Sequence, residues 1–511
     1  MRKYLRVNSL SALHVVIACS IVYVAVFGWM SVRRMDMLWA SYFDLGIMHQ
    51  TVYNTYQAFH TLDFMRIFEL TDPHGSGLQI SRLAIHADLI LILMAPFYFI
   101  FNGPQTLLMI QTIALASGAV ALYFIVRLGN RAHMGRRTRI FSIALPVLYL
   151  MNFALQRSNL YEFHAVTLAT PLILWMYLAY HTKHMRWAAV CLALVLTTKE
   201  QVGFSIGVFL IVEALRVIPW YARQISWRSR SLPIRVFDPR ALLRDTRART
   251  LSASAIACFA YSLALVFVVM PYARLGDSHF ALSYFSPSSK TADTLPVVHY
   301  LQTLFSWQSG MYIAMLLLPL AGLPVLSLYV LPALPDLLIN LLSSSDNMRN
   351  FYYHYTAVIT PWLFIAAAQS MSALIMQSRK WFMVVIVAMV CSTIYMSYRE
   401  GPLPLSMKAT ASMLGAGATE LSDIQLWKQI ISRDDIRVSA TGQFAPHISG
   451  RRYYYDFGRN YVQADYVLIR TVEIGGYSER ENLPEVYERL QNDPRFAKIY
   501  ERGVVEVYKR Q

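Results

Sequence analysis

Asp44, in the run Tyr42-Phe-Asp-Leu-Gly46, is the first of a scattered set of ionisable residues at the ends of apolar blocks. Charge in such places is costly and tends to be kept for function. His86 and Asp88 follow, then Glu162 and His164 in Tyr161-Glu-Phe-His164, then Lys199-Glu200, and later Asp336, Asn340 and His354. A positioned carboxylate or imidazole can take the proton of an acceptor hydroxyl. A cation can stabilise the charge that develops on a departing phosphate, and the carboxylates can instead hold a divalent metal through oxygen. Such a set suits group transfer from a lipid-linked donor. It suits a proton-coupled transporter equally, except that a transporter keeps its ionisable groups near the bilayer midplane. Each residue also has a purely structural use. Asp44 can cap the helix expected from Leu45 to Tyr56, His86 and Asp88 can be solvated at the mouth of a span, Glu162 and His164 can be polar residues of a hairpin tip, and Lys199 and Glu200 can form a structural ion pair.

The elements that position these residues are set by a lopsided composition. Of 511 residues 56% are hydrophobic and 15% charged, where a soluble domain carries about 25% charged residues. The apolar excess lies between about Ala12 and Tyr398, in blocks separated by short polar loops, and the remainder is ordinary and polar. The formal charge of +16 is concentrated in those loops; 216–249 alone holds nine Arg against Asp238 and Asp245. Positive charge beside span ends retains a loop in the cytoplasm, so the charge reports topology and not nucleic-acid binding. Cys19, Cys191, Cys258 and Cys391 lie in apolar blocks, with neither disulfide nor metal spacing.

Sides assigned from the basic flanks give a mainly α fold, a polytopic transmembrane helical bundle of about eleven crossings over 1–398. The N-terminus is cytoplasmic, 34–88 is a long external loop, 216–249 is a basic cytoplasmic loop, and 89–101 is too short to cross, which makes it a half-membrane segment. The region 311–342 is expected to go in and back out around Gly322. The ionisable set then falls on one side, at the outer boundary of a cytoplasmic (inner) membrane. Residues 399–511 form a small extracytoplasmic soluble α/β domain. Its strands are expected at 436–440, 453–456 and 465–469, its helix at 483–490 and its closing hairpin at 496–500 and 504–508. No internal repeat is present in the sequence.

The order and spacing of these residues resembles domain-of-unknown-function family 2079 and, more distantly, the GT-C glycosyltransferase superfamily. The resemblance is carried by Asp44-Leu-Gly46 with Gln50, by His86 followed by Pro96, by Phe163-His164 and by Lys199-Glu200. It continues through Asn340-Leu-Leu-Ser343 and His354-Tyr355 into Val438-Ser-Ala-Thr441, Pro446-His-Ile-Ser449 and Ala464-Asp-Tyr-Val-Leu468. Glu162 in place of Asp, Ala87-Asp88 and Gln201 depart from the pattern.

The resemblance implies a GT-C-like fold in contact with membrane lipid, which transfers a sugar from a polyprenyl-phosphate donor. Asp44 is then the candidate base, with Asp88 and Glu162 as further catalytic carboxylates. His86, His164, Lys199 and Glu200 face the donor phosphate, Gln50, Asn340 and His354 serve the acceptor or the structure, and the cofactor, if any, is a divalent metal. The soluble tail helps to shape the acceptor cleft. A transferase of this kind brings Asp44, Asp88, Glu162, His164, Lys199 and Glu200 to one outward cavity that opens to lipid. A flippase or transporter instead shows inverted repeats of broken helices, and a scaffold lets the carboxylates diverge.

Overall fold

The structure, a computed structural model, describes residues 7–131, 134–218, 220–227, 230–237, 239–277, 296–409, 418–475 and 481–511. Among the described residues six helices are long and apolar enough to cross a membrane: Ser11–Asp36, Pro104–Gly129, Arg136–Tyr161, Thr246–Ala273, Tyr300–Leu320 and Arg379–Glu400. Five shorter apolar helical segments accompany them, Leu89–Phe99, Ala165–His181, Met185–Leu196, Leu328–Leu342 and Ile359–Ile375. Without a hydrophobic drive between helices in lipid, close approach depends on small residues. At Gly203 a Cβ would stand 2.6 Å from the Cys258 carbonyl oxygen, so this glycine lets helix Val202–Val217 lie directly against Thr246–Ala264.

Three segments depart from regular helix. The stretch 89–101 is not an α-helix but two 3₁₀ turns, Leu89–Leu93 and Ala95–Phe99, with Pro96 starting the second. The basic run near 220–237 forms an antiparallel strand pair, Trp220–Trp227 with Arg230–Phe237. The region 311–342 turns where it was expected to, at Gly322, but through a longer irregular stretch than a tight hairpin. Helix Trp307–Leu317 ends at Pro319, Ala321 and Gly322 take positive φ, and 3₁₀ turns continue through Pro324 and Pro332 to helix Leu334–Leu342. Each proline removes a backbone donor and clashes with the preceding turn.

The loop after the first helix is a structured unit. A π-helical turn, Tyr42–Gly46, runs directly into helix Ile47–Thr61, and strands Glu69–Thr71 and Gln79–Ser81 pair antiparallel. The tail carries the strands that alternation indicated, as Val438–Ala440, Tyr454–Asp456, Tyr466–Arg470, Phe496–Arg502 and Val505–Arg510, with helix Leu483–Gln491. The first three strands are parallel, with Val438–Ala440 central, and the last two add antiparallel at one edge.

Loop and tail share one core. Leu38, Tyr42, Ile47, Leu70 and Ile85 pack with Trp427, Phe444, Ala445, Ile448, Tyr454 and Leu468. Polar ties surround it: Arg66 forks onto Asp434 at 2.7 and 3.2 Å, Arg452 meets Glu69 at 3.1 Å, and Ser449 donates to the Gly46 carbonyl at 3.0 Å.

Candidate functional site

A helix start leaves backbone N–H groups without intrahelical partners. At Tyr42–Gly46 no local side chain caps them. Asp44 therefore does not serve as the cap; Glu162 reaches across from the hairpin and accepts from Ser41 N at 3.2 Å and Leu45 N at 2.7 Å. Glu162 is buried and pairs with buried Arg34 at 3.4 Å, while Arg34 also donates to the Tyr161 carbonyl and to the Tyr352 hydroxyl. This clamp leaves Asp44 free to point the other way. Its Oδ2 accepts from the Tyr161 hydroxyl at 2.6 Å and its Oδ1 lies 2.9 Å from His164 Nε2. Burial pushes the Asp44 carboxyl up, but His164 and Tyr161 together outweigh it and hold the group below its ordinary range.

His164 continues the line. Its Nδ1 is buried with no hydrogen-bond partner, and its ring stacks on His354 with centroids 3.7 Å apart and planes at 21°. Both ring nitrogens of His354 are likewise buried without a partner, and burial holds this imidazole well below its ordinary pKa.

A second pole is built on the turn between helices Met185–Leu196 and Val202–Val217. Lys199 and Glu200 sit side by side there without pairing with each other. Glu200 takes His86 Nδ1 at 2.8 Å and the Ala87 amide at 3.1 Å, and Ile90 N bonds the Thr197 carbonyl at 2.9 Å, which ties the end of the long loop to this turn. Burial, then the neighbouring Lys199 charge, bring His86 down to about 4 against the pull of Glu200. Lys199 itself makes no hydrogen bond or ion pair among the described residues.

Both poles face one cavity of about 590 Å³. Asp44, His86, Asp88, His164, Lys199, Glu200, Asn340 and His354 line it, as does Asp336, whose Oδ2 has no partner. Asn340 donates to Tyr312 Oη and to the Tyr355 carbonyl, which joins helix Leu334–Leu342 to the segment carrying His354. Asp88 lines the cavity with its carboxylate taken by the Arg82 guanidinium, at 3.0 and 2.5 Å. Phe204, Leu263, Val266 and Phe267 form an apolar wall. Phe267, on the candidate span Thr246–Ala273, is 60% exposed, so this wall runs out to an exposed apolar side of that helix.

Five of the six residues expected to converge therefore do so, and Glu162 stands behind the Asp44 turn. Gln50 is away from the cavity, in the seam between loop and tail, where it bonds Tyr42 Oη, Thr71 Oγ1 and the Arg452 carbonyl. The tail does not shape the cavity: among the described residues none from 399–511 lines it. Instead the tail backs the Asp44 turn, with Ala445 so close to Gly46 that a Cβ there would sit 3.2 Å from its own. Among the described residues no three carboxylates, imidazoles or thiols converge as metal ligands. Asp44 pairs with His164, Asp88 with Arg82, Glu162 with Arg34 and Glu200 with His86, while Asp336 has no basic partner among the described residues.

Sequence reasoning missed Arg34, Arg82 and the Tyr161 hydroxyl. The first two look like flanking charges and only Tyr161, inside the Tyr161-Glu-Phe-His164 run, carried a local signal.

No curated protein matches the chain. Among solved structures, it is similar to the Archaeoglobus fulgidus oligosaccharyltransferase tethered with an acceptor peptide containing the NVT sequon, at 11% identity and a TM-score of 0.42, over 92% of this chain and 72% of that one. The family model described as predicted membrane protein (DUF2079) matches residues 34–502, and the chain belongs to that family.

Proposed function

We propose that this protein is an integral membrane glycosyltransferase that moves a sugar from a polyprenyl-phosphate donor to an acceptor hydroxyl. The observation that carries the reading is the meeting, in one cavity with a wall towards lipid, of the Asp44–His164 pair and the unpaired Lys199. Lys199, with His86 and Glu200 beside it, meets the donor phosphate, where a fixed cation stabilises charge as it develops. The prenyl chain lies over Phe204, Leu263, Val266 and Phe267. The Asp44–His164 pole handles the acceptor proton. Asp88 and Glu162, committed to Arg82 and Arg34, hold the frame, and Asn340 and His354 close the cavity.

The basic loops at 127–139, 181–186 and 216–249 support a cavity at the extracytoplasmic face of a cytoplasmic membrane, with the N-terminus inside. On this reading the chain crosses about eleven times over 1–398, and 399–511 is an extracytoplasmic domain that braces the site.

The test uses purified protein in lipid nanodiscs and a panel of radiolabelled polyprenyl-phosphate sugars. Enzyme-dependent loss of label from the lipid is expected, and Lys199→Met lowers it by about 10²–10³. Binding of the lipids without turnover of any donor points to a flippase. Neither binding nor turnover rejects the reading.

A further inference from the structure

Asp44 is the residue that family resemblance offers as the base, but its two oxygens are already engaged. Oδ1 holds His164 Nε2 at 2.9 Å and Oδ2 holds the Tyr161 hydroxyl at 2.6 Å. A carboxylate only accepts, so the ring nitrogen facing it carries the hydrogen, and a neutral imidazole with a hydrogen on Nε2 presents a bare lone pair at Nδ1. That Nδ1 is the atom left buried and without a partner, on a residue that lines the cavity. The ring cannot easily turn away. Its backbone N–H donates to Gln111 Oε1 at 2.9 Å, and His354 and Tyr161 stack on it at 3.7 and 5.3 Å.

We infer that His164, through Nδ1, is the general base that takes the acceptor's proton, and that Asp44 is a positioning residue that fixes the tautomer and supports the imidazolium. The inference rests on the transfer reading and deepens it. As the acceptor oxygen bonds to the anomeric carbon, its proton passes to His164 Nδ1. The bond between that carbon and the phosphate oxygen breaks, and its electron pair leaves on the phosphate beside Lys199. A carboxylate–imidazole pair divides the work in the same way in serine hydrolases, with the two ring nitrogens exchanged, and there loss of the carboxylate alone costs about 10⁴ in rate because the wrong nitrogen then carries the hydrogen.

The experiment crosses two rescues. His164→Gly and Asp44→Gly each lose about 10³–10⁴ of transfer, and binding of polyprenyl phosphate by both variants checks that they fold. Imidazole is expected to restore His164→Gly by at least about tenfold, and formate to leave Asp44→Gly unrescued. Formate rescue of Asp44→Gly with no imidazole rescue of His164→Gly overturns the inference and leaves the transfer reading standing. Absence of turnover by the wild type overturns both. A readout free of activity is the ¹⁵N spectrum of histidine-labelled protein, with His164 assigned by its loss in His164→Gln. Hydrogen on Nε2 in the wild type, redistributed in Asp44→Asn, supports the inference. Hydrogen on Nδ1 in the wild type, or a tautomer that Asp44→Asn leaves unmoved, overturns it whatever the donors do.

Discussion

Among the described residues a carboxylate, an imidazole and a phenol come together at two places. Asp44, His164 and Tyr161 meet at one place; Glu213, His181 and Tyr329 meet at another, with Tyr329 Oη 2.5 Å and His181 Nε2 3.4 Å from Glu213 Oε1. The second group stands away from the cavity. Arg216 lies 4.9 Å over the Tyr329 ring, Tyr177 packs against it, and none of its members lines the cavity. The first group opens onto a large cavity and leaves Nδ1 of its imidazole without a partner. A carboxylate, an imidazole and a phenol therefore do not make a site. What sets the first apart is an unsatisfied atom on a residue that lines a space a ligand can fill, since a buried polar atom left alone costs about 1–3 kcal/mol.

The comparison breaks most cleanly by mutation. Asp44→Asn is expected to lower sugar transfer by about 10³–10⁴. Glu213→Gln, although this side chain is the less exposed of the two carboxylates, leaves transfer within about threefold and lowers the unfolding midpoint instead. Equal losses in transfer would show that the two clusters are functionally alike.

The next effect sharpens what separates them. Arg34→Ala strands the buried Glu162 carboxylate that caps the Asp44 turn, and breaking a buried pair costs about 3–5 kcal/mol. Thermal unfolding in detergent measures that loss, and a change under about 1 kcal/mol would mean the clamp is not what holds the turn.

His447 makes the support of the open cluster sensitive to pH. It is buried in the seam with its Nε2 3.2 Å from the Met35 carbonyl, and burial depresses it from 6.5 to about 4. A depressed imidazole favours the docked state fully above its undocked value, and that stability is lost as pH falls from about 6.5 through 4, about 3 kcal/mol in all. Hydrogen exchange of 438–456 should rise over that range in the wild type and much less in His447→Gln.

Gly46→Ala gives the smallest effect. The new Cβ meets the Tyr42 ring at 2.9 Å and Ala445 at 3.2 Å, so the turn must shift, at about 1–3 kcal/mol. Transfer should fall in this variant while Gly135→Ala, where a Cβ meets nothing within 4 Å, is neutral.

The polar residues of the cavity were legible because an apolar background makes each ionisable side chain conspicuous; Asp44, His164, Lys199 and Glu200 all reach it. Strand alternation gave the tail's sheet for the same reason. Partners were not legible. Arg34 and Arg82 read as span-flanking charge, and nothing local to Glu162 signals that it caps a turn 117 residues away in sequence. The turn of 311–342 at Gly322 was legible, but the length of its irregular stretch was not, because four prolines decide the backbone without changing the apolar pattern. The tail's place behind Gly46 rests on shape at a shared core, which no spacing of residues encodes.

The most direct test of the central claim is a structure of the protein in nanodiscs with a polyprenyl phosphate bound. The phosphate is expected within hydrogen-bond reach of Lys199 Nζ, with the chain passing Phe204, Leu263 and Phe267 into the bilayer. A headgroup seated elsewhere, with the Lys199 side of the cavity holding only water, would contradict it.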